Sequence, residues 1–248
     1  MKLLLVNPNL TRGVTDAVLA AARQRAAPGT ELLAVTGTFG PAVIGSRAEA
    51  ALAQHGLLEL VARHAPGCDA VVLGVSLDTA LWACREMLDI PVIGMTEAGL
   101  LCGATVASRI GLLTYGHRMA PLYRELVASY GLADRLAGIE TLALDPAASL
   151  ADPEGTRRAV LEGALRLVER DGAEAVLLAG AAMASMAESL QPSVPVPLLD
   201  GVACAVAMAQ AMVSLRLPKA MVGSLSATGP REVRGVSAEL TKLMGNKR

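Results

Sequence analysis

The sequence predicts an α/β fold with parallel strands, built from two similar halves. Short apolar runs alternate with segments of helical periodicity along the chain, which is typical of parallel strands buried on both faces. The second half also repeats the first: residues 70–83 (AVVLGVSLDTALWA) parallel residues 175–188 (AVLLAGAAMASMAE), and residues 90–98 parallel residues 196–204. With 248 residues and 53% hydrophobic content, the chain is long enough to bury a substantial core.

The individual elements follow from the period of the apolar residues. Short apolar runs predict strands, and apolar residues at helical spacing predict helices. The first half has strands near 2–8, 31–37, 70–76 and 91–95, with helices near 11–26, 46–64 and 78–88. The second half has strands near 109–115, 139–144, 175–181 and 196–201, with helices near 121–130, 152–171 and 202–215.

These elements divide the chain into an N-terminal α/β half at 1–105, a C-terminal α/β half at 106–215 and a C-terminal tail at 216–248. The tail contains a turn, SATGP, at 226–230 and a short amphipathic segment near 237–243. We expect the tail either to cover the neighbouring half or a partner subunit, or to be only partly ordered.

Composition and charge exclude several classes of protein. The formal net charge is −1 and the basic residues are dispersed, so the chain offers no basic surface for a nucleic acid or a membrane. The longest apolar segment, 201–215, is shorter than the ~20 residues that a membrane span needs. The opening MKLLLVNPN is too short for a secretory leader and is predicted to be the first strand. We therefore expect a cytoplasmic protein that binds neither nucleic acid nor membrane.

The cysteines and glycines carry no motif for a metal or a cofactor. Cys68, Cys84, Cys102 and Cys204 show neither CxxC nor Cys/His ligand spacing, so no disulfide framework and no zinc site are predicted. The sequence lacks a GxGxxG after a strand, a GxxxxGK[ST] loop and a GxSxG elbow. We expect no cofactor and no metal.

The repeated halves predict a shared cleft. In open parallel sheets, ligands bind at the carboxyl ends of the strands, where loops and helix N-termini supply free N–H donors. Two related halves that face each other bring two sets of such loops together. The loops predicted to line the cleft are 7–11, 40–46, 75–79, 96–97, 114–117, 180–183 and 200–201.

Over residues 1 to about 215, the sequence resembles the aspartate/glutamate racemase superfamily and, within it, the hydantoin racemase-like proteins. The resemblance rests on the NPN opening after the first strand, the segment FGPAVIGSRAE, and the runs that end in PVIGMTEA and VPVPLLDGVA. It implies an isomerase that works without pyridoxal phosphate or metal, made of two Rossmann-like halves related by a pseudo-twofold axis, with the active site between them. The implied ligand is a small carboxylate, an amino acid derivative or a cyclic amide. The apolar, Ala-rich helices favour a homo-oligomer.

In this family, one cysteine from each half faces the reacting carbon, and the two thiols invert it by proton transfer from opposite sides. The resemblance places the first cysteine at Val75, with a slip to Gly74 as the alternative, and the second at Gly180. None of these residues can carry a proton. We therefore expect one-base chemistry of the isomerase or lyase type, and the alternative is a non-catalytic binding or accessory protein. Cys84, Cys102 and Cys204 are expected to be buried structural thiols.

Three residues are candidates for the missing proton carrier. Glu97 is the strongest candidate base, although a carboxylate there also suits the start of a helix. Asp78 is a second, with N-capping of the helix that follows it as the alternative. His117, in a loop after the fifth strand, can titrate near neutral pH, or it is an ordinary solvated histidine.

The remaining candidates are predicted to contact the substrate. The loop hydroxyls are expected to stabilise negative charge that develops on it. Each has a structural alternative, such as turn hydrogen bonding for the asparagines and helix capping for the aspartate. Arg47 is expected to pair either with a substrate carboxylate or with a helix acid. The predicted contact residues are Asn7, Asn9, Ser46, Val75, Ser76, Thr79, Thr114, Tyr115, Gly180, Ala181 and Asp200.

Overall fold

The chain forms two four-stranded parallel sheets, in a computed structural model that describes residues 1–144, 149, 151–226, 229 and 232–245. The strand order is β2-β1-β3-β4 in the first sheet and β6-β5-β7-β8 in the second, so the two sheets have the same topology. The predicted α/β class with two parallel sheets is confirmed. The strands are β1 (Lys2–Asn7), β2 (Glu31–Thr36), β3 (Ala70–Leu73), β4 (Val92–Gly94), β5 (Ile110–Tyr115), β6 (Leu136–Leu142), β7 (Ala175–Leu178) and β8 (Leu198–Asp200).

Helices connect the strands, as parallel pairing requires. Short 3₁₀ turns add to them at Ala133–Arg135, Ala181–Met183 and Gln191–Ser193. The helices are α1 (Arg12–Arg25), α2 (Arg47–His64), α3 (Leu81–Met87), α4 (Met95–Val106), α5 (Met119–Ser129), α6 (Pro153–Asp171), α7 (Met186–Leu190), α8 (Gly201–Leu215) and α9 (Ala238–Gly245).

One predicted helix begins later than expected. The sequence pattern predicts a helix from residue 78, but α3 begins at Leu81. Asp78 and Ala80 have φ angles of 47° and 61°, in the left-handed region that a right-handed helix cannot use. The segment between β3 and α3 is therefore a loop, and it carries Ser76, Leu77 and Asp78.

The two halves exchange a helix. Helix α4 follows β4 directly but packs on the second sheet, where Gly99 lies against Leu177 without room for a side chain. Helix α8 follows β8 directly but packs against α1, β3 and β4 of the first half. Val202 and Val206 of α8 accordingly share a hydrophobic core with the first sheet. Each sheet is therefore covered in part by a helix of the other half.

The C-terminal tail covers the first half of its own chain. Lys219 Nζ donates to the Leu88 carbonyl oxygen at 2.9 Å. The Ser237 amide donates to Glu59 Oε1 at 3.0 Å, and Leu240 of α9 is buried against α2. Of the predicted turn at 226–230, residues 227, 228 and 230 lie outside the described residues.

No helix in the described ranges is both long and apolar enough to cross a membrane. The division of the chain into two halves and a tail at residues 105 and 215 stays a prediction. Each half supplies a helix to the sheet of the other, so a test of this division must consider both helices.

Candidate active site between the two halves

A cavity of about 260 Å³ lies between the carboxyl ends of the two sheets. Its walls come from the loops that follow β1, β3, β5 and β7, together with the segment before α2 and the start of α5. The lining residues are Asn9, Val14, Val43, Ile44, Gly45, Gly74, Val75, Ser76, Thr114, Tyr115, Gly116, His117, Arg118, Met119, Tyr123, Leu144, Gly180, Ala181 and Ala182.

The strand order explains why the cavity is there. In the first sheet the chain leaves β1 toward β2 on one side and later places β3 on the other side, so the loops after β1 and β3 diverge and leave a crevice. The second sheet repeats this arrangement with β5 and β7. The two crevices face each other, and together they enclose the cavity.

The two positions to which the resemblance assigns thiols both line the cavity. Val75 is buried in the wall from the first half, and Gly180 lies in the wall from the second half. A Cβ atom at Gly180 would lie 2.6 Å from Met183 Cε and 2.8 Å from Tyr115 Cε2. Such distances are shorter than van der Waals contact, so the Met183 methyl group and the Tyr115 ring occupy the space that a side chain at residue 180 would need.

A hydroxyl network joins the two walls. The Tyr123 hydroxyl oxygen lies 2.6 Å from Ser76 Oγ and 2.9 Å from the Ala179 carbonyl oxygen. A phenol has one proton and a carbonyl can only accept, so Tyr123 donates to Ala179 and accepts from Ser76. Burial raises the pKa of Tyr123 to about 12, and hydrogen bonds with Ser76 and Thr114 oppose that rise. Tyr123 is therefore neutral at physiological pH and fixes Ser76 against the second half.

Polar groups gather at the mouth of the cavity. His117 and Arg118 line it and are otherwise exposed to solvent. Asn9 Oδ1 accepts hydrogen bonds from Asn7 Nδ2 and the Thr11 amide. Within the described part of the chain, Asn9 Nδ2 has no acceptor in the protein. An imidazole, a guanidinium and an amide donor are therefore all available to a ligand at this end.

Comparisons with known proteins match this fold and cleft over most of the chain. The family model for Asp/Glu/Hydantoin racemase matches residues 3–209. The chain belongs to this family. A hydantoin racemase of Pseudomonas sp. strain NS671 is 34% identical over 216 residues, which is 87% of each chain.

Solved structures agree with the family assignment. An allantoin racemase from Klebsiella pneumoniae superposes with a TM-score of 0.92 at 33% identity, over 97% of this chain and 98% of that one. The allantoin racemase AllR from Pseudomonas fluorescens gives a TM-score of 0.90 at 27% identity, over 95% and 100%. The predicted hydantoin racemase-like resemblance is confirmed.

Within this racemase-family fold, the structure brings together about half of the residues predicted for the site. The loops predicted at 96–97 and 200–201 do not line the cavity, but eight of the predicted residues do. These residues are Asn9, Val75, Ser76, Thr114, Tyr115, His117, Gly180 and Ala181. Their individual roles stay predictions.

Asp78 lies outside the cavity, and its predicted capping role is corrected. The residue before α3 is Ala80, and no side chain caps this helix. Asp78 is buried and instead accepts from the Thr96 amide at 3.0 Å and the Glu97 amide at 2.8 Å, at the start of α4. The Tyr130 hydroxyl also donates to it at 2.7 Å. Burial raises the pKa of Asp78 to about 7, although these three hydrogen bonds favour the carboxylate.

Glu97 is also outside the cavity, where it forms an ion pair. Arg85 Nη1 donates to Glu97 Oε1 at 2.9 Å, and Arg85 Nη2 contacts the other carboxylate oxygen. Both side chains are largely buried. A carboxylate held by both oxygens in this way is not free to take a proton from a ligand in the cavity.

The other predicted contact residues form the framework around the cavity. Asp200 caps α8 by accepting from the Val202 and Ala203 amides. Ser46 caps α2, and Asn7 Nδ2 donates to Thr15 Oγ1 beneath the cavity. The Thr79 hydroxyl is buried and has no hydrogen-bond partner among the described residues.

Arg47 takes the helix-acid alternative. Its guanidinium donates to both carboxylate oxygens of Glu125, at 2.6 and 2.7 Å, on an exposed surface. This ion pair joins α2 of the first half to α5 of the second.

The thiols are distributed differently from what we expected. Cys84 is buried as predicted, and burial raises its pKa to about 12. Cys102 and Cys204 were expected to be buried, but they are half-buried and line a second cavity. Among the described residues, no thiol lines the first cavity.

Tyr123 and Arg118 line the cavity but are not among the residues predicted for the site. Tyr123 lies within the predicted helix 121–130, and the chain has only three tyrosines. A buried tyrosine needs a partner for its hydroxyl, and this need is the signal that was available. Arg118 directly follows His117 in a loop that was already predicted to line the cleft, so loop membership alone would have identified it.

Proposed function

We propose that this protein binds a small cyclic amide or carboxylate in the cavity and catalyses proton transfer from one side only, with His117 as the base. One observation carries the proposal. Among the described residues that line the cavity, His117 is the only imidazole, which is the side chain that most often serves as a general base. The positions that would hold the two thiols of an inverting enzyme are Val75 and Gly180.

The ligand class rests on the relatives and on the size of the cavity. Proteins named hydantoin racemase and allantoin racemase are 33–34% identical to this chain. Hydantoin is a five-membered cyclic amide, and allantoin carries the same ring. A cavity of about 260 Å³ is at the small end for ligand sites and suits one ring with a short substituent. Arg118 at the mouth is suited to an anionic or carbonyl substituent.

The chemistry follows from which groups can carry charge. His117 removes the proton from the carbon next to a ring carbonyl, and the electron pair of the C–H bond moves onto the carbonyl oxygen. The amides of Ser76 and Ala181 stabilise that oxygen, because within the described residues they make no hydrogen bond. The Ser76 hydroxyl is not available for this role, since it donates its proton to Tyr123. His117 then returns the proton to the same face, which exchanges hydrogen without inverting the carbon.

A lyase variant uses the same groups. If the substrate carries a carboxylate on the reacting carbon, loss of carbon dioxide forms the same enolate, and protonated His117 supplies the proton that completes the product.

A second candidate is a binding protein without catalysis. The observation that favours it is the position of His117, which is exposed at the mouth, while the inner walls offer Val75 and Gly180. Such a protein retains the ligand-binding loops of the family but has lost the proton carriers.

Hydrogen exchange tests the proposal. The protein is incubated in D₂O with each enantiomer of a 5-substituted hydantoin and of allantoin, and NMR and chiral chromatography follow loss of the Cα–H signal and of optical purity. We expect exchange with retention, and a loss of about 100-fold or more in the exchange rate for His117→Ala. His55→Ala, at a half-exposed histidine of α2 that lies outside the cavity, is the matched control and keeps the full rate.

The outcomes separate the candidates. Exchange that is equally fast in His117→Ala would remove His117 as the base. Saturable binding by calorimetry without any exchange would favour the binding protein. Racemisation at the rate of exchange would contradict one-sided transfer.

A further inference from the structure

A second cavity, of about 630 Å³, lies where the two halves exchange helices. It is separate from the site described above, and its walls come from the end of α1, from α4, from the segment 185–192 and from β8 and α8. Two of its lining residues are cysteines. Cys102 belongs to α4 and Cys204 belongs to the first turn of α8, so each exchanged helix contributes one thiol.

The two thiols are in contact with each other. Helices α4 and α8 pack against each other, each thiol is the largest influence on the pKa of the other, and both thiols are half-buried at the wall of one cavity. The other two cysteines differ in both respects, because Cys68 and Cys84 are buried and belong to the core of the first half. Cys102 and Cys204 are therefore the pair in this chain that is both close together and open to a reagent.

The pKa values of the two thiols are shifted in opposite directions. The hydrogen bond from Cys204 lowers the pKa of Cys102 to about 7, although burial opposes this. The same interaction, together with burial, raises the pKa of Cys204. Cys102 is therefore the first of the two thiols to lose its proton. A thiolate is the nucleophile in disulfide chemistry, and a neighbouring thiol resolves the intermediate.

We propose that Cys102 and Cys204 form a reversible disulfide by exchange with a low-molecular-weight disulfide such as oxidised glutathione. The Cys102 thiolate attacks one sulfur of the reagent, breaks its S–S bond and expels one thiolate. Cys204 then loses its proton and attacks the Cys102 sulfur, which expels the second thiolate. Two electrons pass from the cysteine pair to the reagent, which leaves as two reduced thiols: one carries the proton of Cys204 and the other takes its proton from water.

The surroundings of the pair suit such a reagent. The cavity is large enough to admit a peptide-sized disulfide, and Gln24 and Arg25 line it beside the thiols. Arg25 lies 3.5 Å from Glu188 on an exposed surface, a long ion pair that a carboxylate of glutathione can replace. The product links α4 to α8 and thereby joins the two helices that the halves exchange.

Mass spectrometry of the full-length protein tests the proposal. The protein is treated with oxidised glutathione at pH 8, and intact mass, free thiols and tryptic peptides are analysed. We expect two of the four thiols to disappear, with a mass decrease of two hydrogens and a linked peptide pair that contains Cys102 and Cys204. The oxidised protein is expected to melt about 5–10 °C higher, because the new bond closes a long loop.

Single substitutions test the order of the steps. Cys204→Ser is expected to stop at the mixed disulfide, with one glutathione attached to Cys102. Cys102→Ser is expected to react at least about tenfold more slowly, since it lacks the low-pKa thiol. Cys68→Ser and Cys84→Ser are the controls and form the same linked pair as the unchanged protein.

Three results would overturn the proposal. These are retention of all four thiols, a stable glutathione adduct of the unchanged protein without the internal link, and a disulfide between two molecules in place of the internal one.

Discussion

At the scale of single residues, the space beside Gly180 decides what chemistry the cleft can support. The Tyr115 ring and the Met183 methyl group lie where a side chain at this position would go. Val75, on the opposite wall, already has a side chain close to the size of a cysteine. The two walls therefore differ in how readily a thiol can be restored.

Substitutions at these positions test that difference. We expect Val75→Cys to change the free energy of unfolding by less than ~1.5 kcal/mol, and Gly180→Cys to lower it by ~1–3 kcal/mol through overpacking. The double variant should racemise a hydantoin poorly. Adding Tyr115→Ala, which frees the part of the space that the ring occupies, should raise that rate by about 100-fold, because a misplaced catalytic group costs about this much. Urea unfolding and polarimetry measure the two effects.

The corresponding control is Val75→Cys with Tyr115→Ala, which creates the space but supplies only one thiol. If the double variant with Gly180→Cys already racemises as fast as the triple variant, Tyr115 does not obstruct the second thiol.

Asp78 should make the stability of the protein depend on pH. Burial raises its pKa to about 7 in the folded protein, above the unfolded value of 3.8. Between these values Asp78 binds more protons in the folded state than in the unfolded state, so its contribution to the free energy of unfolding falls as pH rises from about 4 to 7 and is then constant. The expected loss is on the order of 4 kcal/mol.

Urea unfolding of the unchanged protein and of Asp78→Asn at pH 5, 6, 7 and 8 measures this effect. The unfolding free energy of the unchanged protein should fall relative to that of the variant up to about pH 7, because the amide that replaces the carboxyl group does not titrate. An unchanged difference across this range would show that Asp78 remains ionised throughout, held by the Thr96 and Glu97 amides and by Tyr130.

Sequence patterns predicted most of the loops that line the cleft. They did not predict that the acidic side chains Glu97 and Asp78 would lie outside it. Residues such as Ser76 and His117 could be predicted because they follow the ends of strands, and strand ends are readable from short apolar runs. Glu97 and Asp78 follow strands too, but distant partners determine their state: Arg85 pairs with the first, and the start of α4 with the second. No local pattern encodes those partners.

At the scale of elements, the two halves satisfy the same helix N-terminus in different ways. Helix α8 is capped by Asp200, the residue directly before it. The residue directly before α4 is Gly94, and Asp78 reaches the same two amides from the preceding loop. Gly94 has no space for a side chain because the Asp78 carboxyl group lies against it. Within one half, a capping side chain at the residue before the helix and the Asp78 carboxyl group cannot both be present, because they would occupy the same space.

Removing the cap of α8 tests how much this carboxylate contributes. Asp200 accepts from the Val202, Ala203 and Ser185 amides, so Asp200→Ala leaves several partly buried donors without a partner. We expect a loss of about 2 kcal/mol in unfolding free energy. Asp152→Ala is the matched control, since Asp152 caps α6 on the surface through the Gly155 amide, and it should cost about 1 kcal/mol or less. Equal losses would mean that the buried cap contributes nothing extra.

The strands and most helices were predictable because burial on both faces makes their apolar runs continuous. The start of α3 was not, because left-handed φ angles at Asp78 and Ala80 depend on contacts with α4 and with Tyr130. The helical spacing of apolar residues continues through residue 78, although the backbone there is not helical.

At the scale of the whole molecule, the exchanged helices make the two halves depend on each other. Helix α4 lies on the second sheet, and α8 lies against the first. A fragment of residues 1–105 therefore carries a helix without its sheet and a sheet without one of its covering helices.

Separate expression of residues 1–105 and 106–248 tests this dependence. We expect neither fragment to unfold cooperatively, and their mixture to regain part of the native circular dichroism. The control is residues 1–215, which lacks the tail but keeps both exchanged helices and should unfold in a single, less stable transition. A cooperative transition in fragment 1–105 alone would show that the predicted division at residue 105 is a true domain boundary.

The exchange also limits how a ligand can reach the cavity. Separation of the two halves would remove α4 and α8 from the sheets that they cover. It would expose the hydrophobic cores of both halves to water. A ligand is therefore expected to enter and leave the cavity past the short segments around Gly45 and His117 at its rim. We therefore expect ligand entry to depend on the movement of a few loop residues, and not on separation of the two halves.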